Sequence, residues 1–201
     1  MDDIVKAAIA KWPNVPHCYG WLALDARGHW RMRDDRCQAL NLPGDIIRHP
    51  TLIAFINRNY LPDEHGCWYF QNGPQRVYVD IEAAPWIATL TPAGLQLHTG
   101  TPSENVMSAY FDEEGRLFFS TESKLILLDD RDLAACLELI SGQHHEPVGM
   151  DKFSDWLESA ETQGLQLTLP GATRPVPLQK TTLHRLKEAH PFQATPRPNL
   201  A

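Results

Sequence analysis

Short runs of alternating apolar and polar residues mark this chain, and three of them follow the same punctuation. Asp25-Ala26-Arg27-Gly28 precedes His29-Trp30-Arg31-Met32, Asp63-Glu64-His65-Gly66 precedes Cys67-Trp68-Tyr69-Phe70, and Asp112-Glu113-Glu114-Gly115 precedes Arg116-Leu117-Phe118-Phe119. An Asp side chain can accept from the backbone two residues on, and a Gly in the left-handed conformation closes a type I turn with a bulge. After each Gly, bulky apolar residues recur with period two, the mark of a half-buried strand. The pattern predicts three hairpins.

Between them the period changes. Asp2 to Lys11 reads as a short amphipathic helix with Ile4, Val5, Ala8 and Ile9 on one side. Strand Trp21 to Leu24 pairs through the first turn with Trp30 to Arg33, and a polar stretch runs from Asp34 to Asp45. Pro50 opens a core helix in which Leu52, Ile53, Phe55, Ile56 and Tyr60 recur at helical spacing, ended by Pro62. Strands Cys67 to Phe70, Val77 to Ile81, Trp86 to Leu90 and Leu95 to Thr99 follow in meander order, with Asn72-Gly73 as one of the returns.

The scheme then repeats: hairpin Ser108 to Thr121, strand Leu125 to Leu128, and a helix capped by Asp129 or Asp130 with Leu133, Ala134, Cys136, Leu137 and Ile140 on its apolar face. Asp25 and Asp112 lie 87 residues apart and Leu52 and Leu133 lie 81 apart, offsets that point to duplicated hairpin-plus-helix units. Beyond Gly142 the pattern gives a short helix Asp151 to Ala160, a strand Leu165 to Leu169, a surface helix Thr181 to Ala189 and a proline-dense tail.

The expected fold is α+β: twisted antiparallel sheets built from β-hairpins and covered by helices. Leu52, Phe55, Ile56, Trp68, Phe70, Val77, Val79, Trp86, Leu117, Phe119, Leu133 and Leu137 are expected in the core. The expected organisation is an α+β core over 1–142, with a first unit of about 15–103 and a second of about 104–142, followed by an extension over 143–201.

With 201 residues, 43% of them hydrophobic, the chain is long enough to bury a real core. A formal net charge of −7 argues against nucleic acid as a partner. No helix-length run is free of polar residues and the chain opens with Met1-Asp2-Asp3, so no membrane segment is expected and the cytoplasm is the expected location. Cys18, Cys37, Cys67 and Cys136 form no C-x-x-C pair and read as reduced thiols.

Asp25-x-x-Gly-x-Trp30, Arg48-His49-Pro50-x-Leu52-x-x-Phe55, Trp68-Tyr69-Phe70, Val77-Tyr78-Val79, Glu82-Ala83-Ala84-Pro85-Trp86 and Leu95-Gln96-Leu97-His98-Thr99 together resemble an uncharacterised proteobacterial family of unknown function. The order of motifs, over roughly residues 15 to 140, is also similar in plan to a second such family, in which repeated α+β motifs make up the fold and signal transduction has been suggested. The resemblance implies a repeated α+β fold and transfers no catalytic residue.

Four groupings could carry chemistry. His144-His145-Glu146 has metal-ligating types, but adjacent loop histidines diverge. His17-Cys18-Tyr19 places a thiol beside a base, yet neighbours on an extended chain point apart. His98 could work with Glu82 or Asp80 as acid and base. The fourth is a ladder of cations: His29, Arg31 and Arg33 share a strand face opposite Trp30 and Met32, with Arg48 and His49 near in sequence. Arginine's planar fork suits carboxylate or phosphate. These five residues are the expected ligand-binding set, and as a solvent-facing site it would let Arg31 and Arg33 be replaced by Ala with little loss of stability.

No Walker loop, dinucleotide fingerprint, G-x-S-x-G elbow or H-E-x-x-H is present. The first expectation is therefore a non-enzymatic binding or regulatory module, free of cofactor and metal, that takes an anionic small molecule or an acidic protein partner. The alternatives are a hydrolase-like or transferase-like enzyme using a histidine and a carboxylate, and an assembly part that forms a homodimer through a sheet edge or the tail.

Overall fold

The structure is a computed structural model and describes residues 1–162 and 164–198. Two compact units divide the chain, Met1–Pro85 together with the chain end from Phe192, and Trp86–Pro191. The boundaries expected at 103 and 142 both fall inside the second unit.

In the first unit α1 (Asp3–Lys11) precedes β1 (Cys18–Leu24) and β2 (Trp30–Met32); α2 (Asp35–Ala39), β3 (Asp45–Ile46), α3 (Pro50–Arg58), β4 (Tyr60–Pro62), β5 (Trp68–Asn72) and β6 (Gln75–Ile81) follow. Their sheet has the order β3-β2-β1-β6-β5-β4, antiparallel except where β1 lies parallel to β6. The polar stretch after β2 is partly helical, because the Asp34 carboxylate accepts from the Cys37 amide at 2.8 Å and starts α2. The turn between β5 and β6 is made by Gly73 and Pro74, with Gly73 at φ +57°, so the proline occupies a turn position where no ladder donor is needed.

Along β1 the sides alternate. Leu22 and Leu24 go to an apolar face with Trp30, Val79 and Ile81, where α3 packs: the Trp30 indole donates to Asn57 Oδ1 at 2.7 Å and Phe55 meets Phe70 edge-on at 5.3 Å. Ile56 is buried there, but Leu52 is 36% exposed, contrary to expectation, since a helix of nine residues turns only one narrow stripe inward. Ile4 is likewise exposed and only Val5 of α1 is buried.

The second unit contains β7 (Trp86–Thr91), β8 (Gly94–Leu97), β9 (Ser108–Phe111), β10 (Leu117–Ser120), β11 (Leu125–Leu128), a 3-10 turn Asp130–Asp132 leading into α4 (Leu133–Leu137), β12 (Ile140–Gly142), α5 (Met150–Glu158), β13 (Leu165–Leu167), β14 (Val176–Lys180) and α6 (Leu183–Ala189). Its sheet has the order β12-β13-β14-β9-β10-β11-β7-β8. The expected four-strand meander is thus shared between two sheets, with β5 and β6 in one and β7 and β8 in the other. The segment after residue 142 is integral to this unit: Phe153, Trp156, Leu165, Leu167 and Leu178 belong to one hydrophobic cluster with Phe111, Leu117, Phe119 and Ile126.

The two units repeat one topology. β1 to β6 and β9 to β14 both run hairpin, third strand, helix, then three strands of which the last returns parallel to the first, and both give the spatial order third-second-first-sixth-fifth-fourth. The first hairpin of each copy closes on the same turn. Asp25 Oδ1 accepts from the Arg27 and His29 amides at 3.0 and 2.8 Å, and Asp112 Oδ1 accepts from the Glu114 and Arg116 amides at 3.0 and 2.8 Å. Gly28 and Gly115 stand at φ +79° and +75°, the left-handed conformation that the bulged turn requires.

Candidate functional site

Strand register assembles the site. Ala23 of β1 lies between Arg31 of β2 and Asp80 of β6, and Arg31 is opposite Ile46 of β3, so Asp80, Ala23, Arg31 and Ile46 form one cross-strand row. Residues directly opposite on adjacent strands point to the same face, here the one away from α3. Ala23 is the short member of the row, and above it opens a cleft of 430 Å³. Asn41, Leu42 and Pro43 from the turn after α2 form one rim; Ala194, Thr195 and Arg197 of the returning tail form another; Asp25 and Glu82 stand at the strand ends. The tail is tied down by hydrogen bonds from the Gln193 amide to Gly66 O at 2.9 Å and from the Ile81 amide to Ala194 O at 2.7 Å, with Phe192 buried.

The cations are held by internal acids. Arg33 is buried, its Nε donating to Leu42 O at 3.1 Å, its Nη2 to Asn41 Oδ1 at 3.3 Å and its Nη1 to Asp80 Oδ2. Arg31 donates from Nε to Asp25 Oδ2 at 2.8 Å and from Nη1 to Gly44 O at 3.0 Å; its Nη2 has no hydrogen-bond partner among the described residues. His29 shares the same carboxylate, with Nδ1 at 3.2 Å from Asp25 Oδ2. Burial pulls the Asp25 carboxyl upward, but the hydrogen bonds from His29, Arg31 and Arg27 outweigh it and hold its pKa below the usual range. Asp80 goes the other way: burial raises its pKa, and Arg197 and Arg33 only partly counter it.

Of the five sequence-predicted residues, His29 and Arg31 meet on Asp25, and Arg33 is joined to Asp80. Arg48 and His49 are exposed and do not line the cleft; His49 Nδ1 instead caps α3 by accepting from the Leu52 amide at 3.4 Å. The expected faces hold in part. Trp30 is buried opposite Arg31, but Met32 is 46% exposed and Arg33 is enclosed, because the turn after α2 and Asp80 close over it. Sequence reasoning missed Ala23, Asn41 and Arg197, and considered Asp80 only as a partner for His98.

The remaining groupings are engaged elsewhere. Burial pushes the Cys18 thiol up, and Tyr19 stacks on Tyr78 at 4.6 Å. Tyr78 donates its hydroxyl to Asp63 Oδ2 at 3.0 Å, and burial with that carboxylate pushes its pKa up to about 12. His98 belongs to the second unit, where its Nδ1 accepts from the Ile87 amide at 3.3 Å, whereas Asp80 and Glu82 belong to the first. His145 Nδ1 lies 3.0 Å from Gln166 Nε2, and the His144 amide donates to Glu146 at 3.0 Å. Among the described residues no group of three or more His, Cys, Asp or Glu is arranged to hold a metal ion.

The second copy of the topology acts as an internal control. There the equivalent row is Gln179, Tyr110, Phe118 and Leu127. Tyr110 stands at the position of Ala23, Arg31 is replaced by a fully buried Phe118, and the position of Arg33 holds Ser120. One fold plan is therefore built once with the charged row and once without it.

No curated protein matches the chain. It is similar to the crystal structure, at 2.50 Å resolution, of a DUF1285 family protein from Silicibacter pomeroyi DSS-3, with 13% identity over 93% of this chain and 99% of that one and a TM-score of 0.47. A DUF1285 family protein from Shewanella baltica OS155, solved at 1.40 Å, is similar over 57% of this chain and 88% of that one, with 13% identity and a TM-score of 0.39. The sequence matches DUF2944, described as "Protein of unknown function (DUF2946)", over residues 1–197, and the chain belongs to that family.

Proposed function

We propose that the chain is a non-enzymatic regulatory module that binds a small anionic molecule, a carboxylate or a phosphate, in the cleft above Ala23. The observation that carries this reading is the contrast between the two copies. The scaffold forms with Gln179, Tyr110 and Phe118 as readily as with Asp80, Ala23 and Arg31, so the topology does not demand the charges or the gap. A volume of 430 Å³ lies within the roughly 300–1,000 Å³ of small-ligand sites. Arg31 is held from two sides by Asp25 and Gly44 while its Nη2 stays available, a preorganised donor for an anion.

The cytoplasm is the compartment we infer. All four cysteines are free thiols, as a reducing compartment would keep them, and no helix among the described residues is long and apolar enough to cross a membrane.

The test is a thermal-shift and amide-NMR screen of carboxylated and phosphorylated metabolites. A ligand should raise the melting temperature saturably and move the amides of Ala23, Arg31 and Gly44, and Arg31→Ala should weaken it about tenfold or more. A screen in which those amides stay unmoved overturns the reading.

A further inference from the structure

We infer that Asp80 Oδ1 is a second anchor in this cleft, the seat of a ligand ammonium, and that the ligand is a zwitterion of the amino-acid class whose carboxylate lies on Arg31 and whose ammonium displaces Arg197 from Asp80. The inference rests on the anion reading above and narrows it.

Its starting point is an unmade bond. Asp80 Oδ2 is taken by Arg33, but Oδ1 is buried and accepts no hydrogen bond from the described residues. Buried carboxylate oxygens are almost always bonded, so this one marks a place where a donor belongs. Arg197 is the second cation at this acid, in an ion pair with Nη1 at 3.5 Å from Oδ1, but that nitrogen donates its hydrogen bond to the adjacent Pro196 O at 3.1 Å. Its charge is near the acid but its hydrogen bond goes elsewhere.

Arg197 is also poorly anchored. Its side chain is 62% exposed, and among the described residues it lies beyond the last backbone hydrogen bond that ties the tail, the one to Ala194 O. Pro196 and Pro198 on either side have no amide proton with which to add another tether. A guanidinium held this loosely is the natural occupant for a better-placed ammonium to replace.

Geometry supplies the pairing with an anion. Asp80 and Arg31 belong to one row with only Ala23 between them, so their Cα atoms are about 10 Å apart at the usual strand spacing. The Asp80 and Arg31 side chains thus flank a gap left by a methyl group, one offering an acceptor and the other a donor. Burial keeps the Asp80 carboxyl above its usual range even with Arg33 and Arg197 near. The second copy has neither charge, with Gln179 and Phe118 at the two positions.

The experiment titrates the full chain with the common L-amino acids, each beside its N-acetyl and C-amide forms, by calorimetry and melting shift. At least one free amino acid should bind, and blocking either end should weaken it at least tenfold. Arg197→Ala should bind the same amino acid several-fold more tightly, because the competing cation is gone, while the unliganded protein melts within a degree or two of the parent. An N-acetyl form that binds as well as the free amino acid would overturn the ammonium seat and leave the anion reading standing. Binding of phosphates or dicarboxylates with none of any amino acid would do the same. A C-amide form that binds unimpaired would sink both readings. Weaker binding by Arg197→Ala would make Arg197 part of an anion site, and the inference would fall.

Discussion

Arg33 and Asp80, 47 residues apart in sequence, form an ion pair whose side chains are only 10% and 12% exposed. The pair joins the end of β2 to β6 across β1, and Arg33 also fastens the turn that follows α2 through Leu42 and Asn41. A guanidinium so placed is a structural member of the cleft, whereas Arg31 beside it has no partner for its Nη2 among the described residues.

Removing one partner of this pair strands the other in a poorly solvated place. Arg33→Ala should therefore lose about 3–5 kcal/mol of unfolding free energy in urea titration, against the small loss expected of a solvated ladder. The double variant Arg33→Met with Asp80→Leu should recover much of it, since two apolar groups leave no charge unpaired. Equal losses in the single and the double variant would refute this account.

Gly44 holds Arg31 from behind through its carbonyl. It stands at φ +80°, and a Cβ there would come 2.3 Å from Met32 O and 2.8 Å from Arg33 Cγ. Gly44→Ala should cost about 2–4 kcal/mol from the left-handed backbone and the collision with main chain. Because Gly44 O accepts from Arg31, the same variant should weaken anion binding even where it remains folded, which parallel melts and titrations would separate.

His98 gives the second unit a pH signature. Its Nδ1 accepts from Ile87, its Nε2 is buried, and burial pushes its pKa from 6.5 down to about 4. The folded chain keeps the ring neutral while the unfolded chain protonates it below about 6.5. This contribution is fully present above pH 6.5 and is lost as pH falls toward 4, on the order of 3 kcal/mol in all. Urea unfolding at pH 7 and 4.5 should show a steeper acid loss for the parent than for His98→Gln. A parallel loss in both proteins would mean the imidazole titrates normally.

Much of this architecture is written locally. The Asp-x-x-Gly turns are legible because the Asp side chain and the Gly backbone do their chemistry within four residues, and the period-two alternation then places Trp30 and Leu117 in their cores. What alternation cannot state is which polar face will be covered. Arg33 is enclosed by Leu42, Asn41 and Asp80, and the parallel pairing that brings Asp80 beside Ala23 has no local signature. Arg197 reaches the cleft only because the tail returns to β6. One long-range signal was present: shifting the chain by the 87 residues that separate Asp25 from Asp112 sets Ala23 against Tyr110, Arg31 against Phe118 and Arg33 against Ser120. An Asp within Val77-Tyr78-Val79-Asp80-Ile81 was a second, since a carboxylate inside an apolar strand needs a partner.

That same comparison yields the most direct test of the cleft. Ala23 and Tyr110 occupy equivalent positions, each paired with the same strand of its hairpin and with the parallel sixth strand. Tyr at this position is compatible with the topology, so Ala23→Tyr should keep the fold, with a loss of stability no larger than about 1–3 kcal/mol from crowding beside Asp80 and Arg31. The ring would fill the space a ligand needs while leaving Arg31, Asp25 and Gly44 in place. Affinity for an anion bound on Arg31 should then fall by at least tenfold even though every charge is retained. If the ligand binds elsewhere on the charged surface, Ala23→Tyr will leave its affinity intact while Arg31→Ala reduces it by ordinary electrostatics. A folded Ala23→Tyr protein that still binds at parental affinity would remove the cleft from consideration, and the charged row would then be a means of closing Arg33 and Asp80 against solvent.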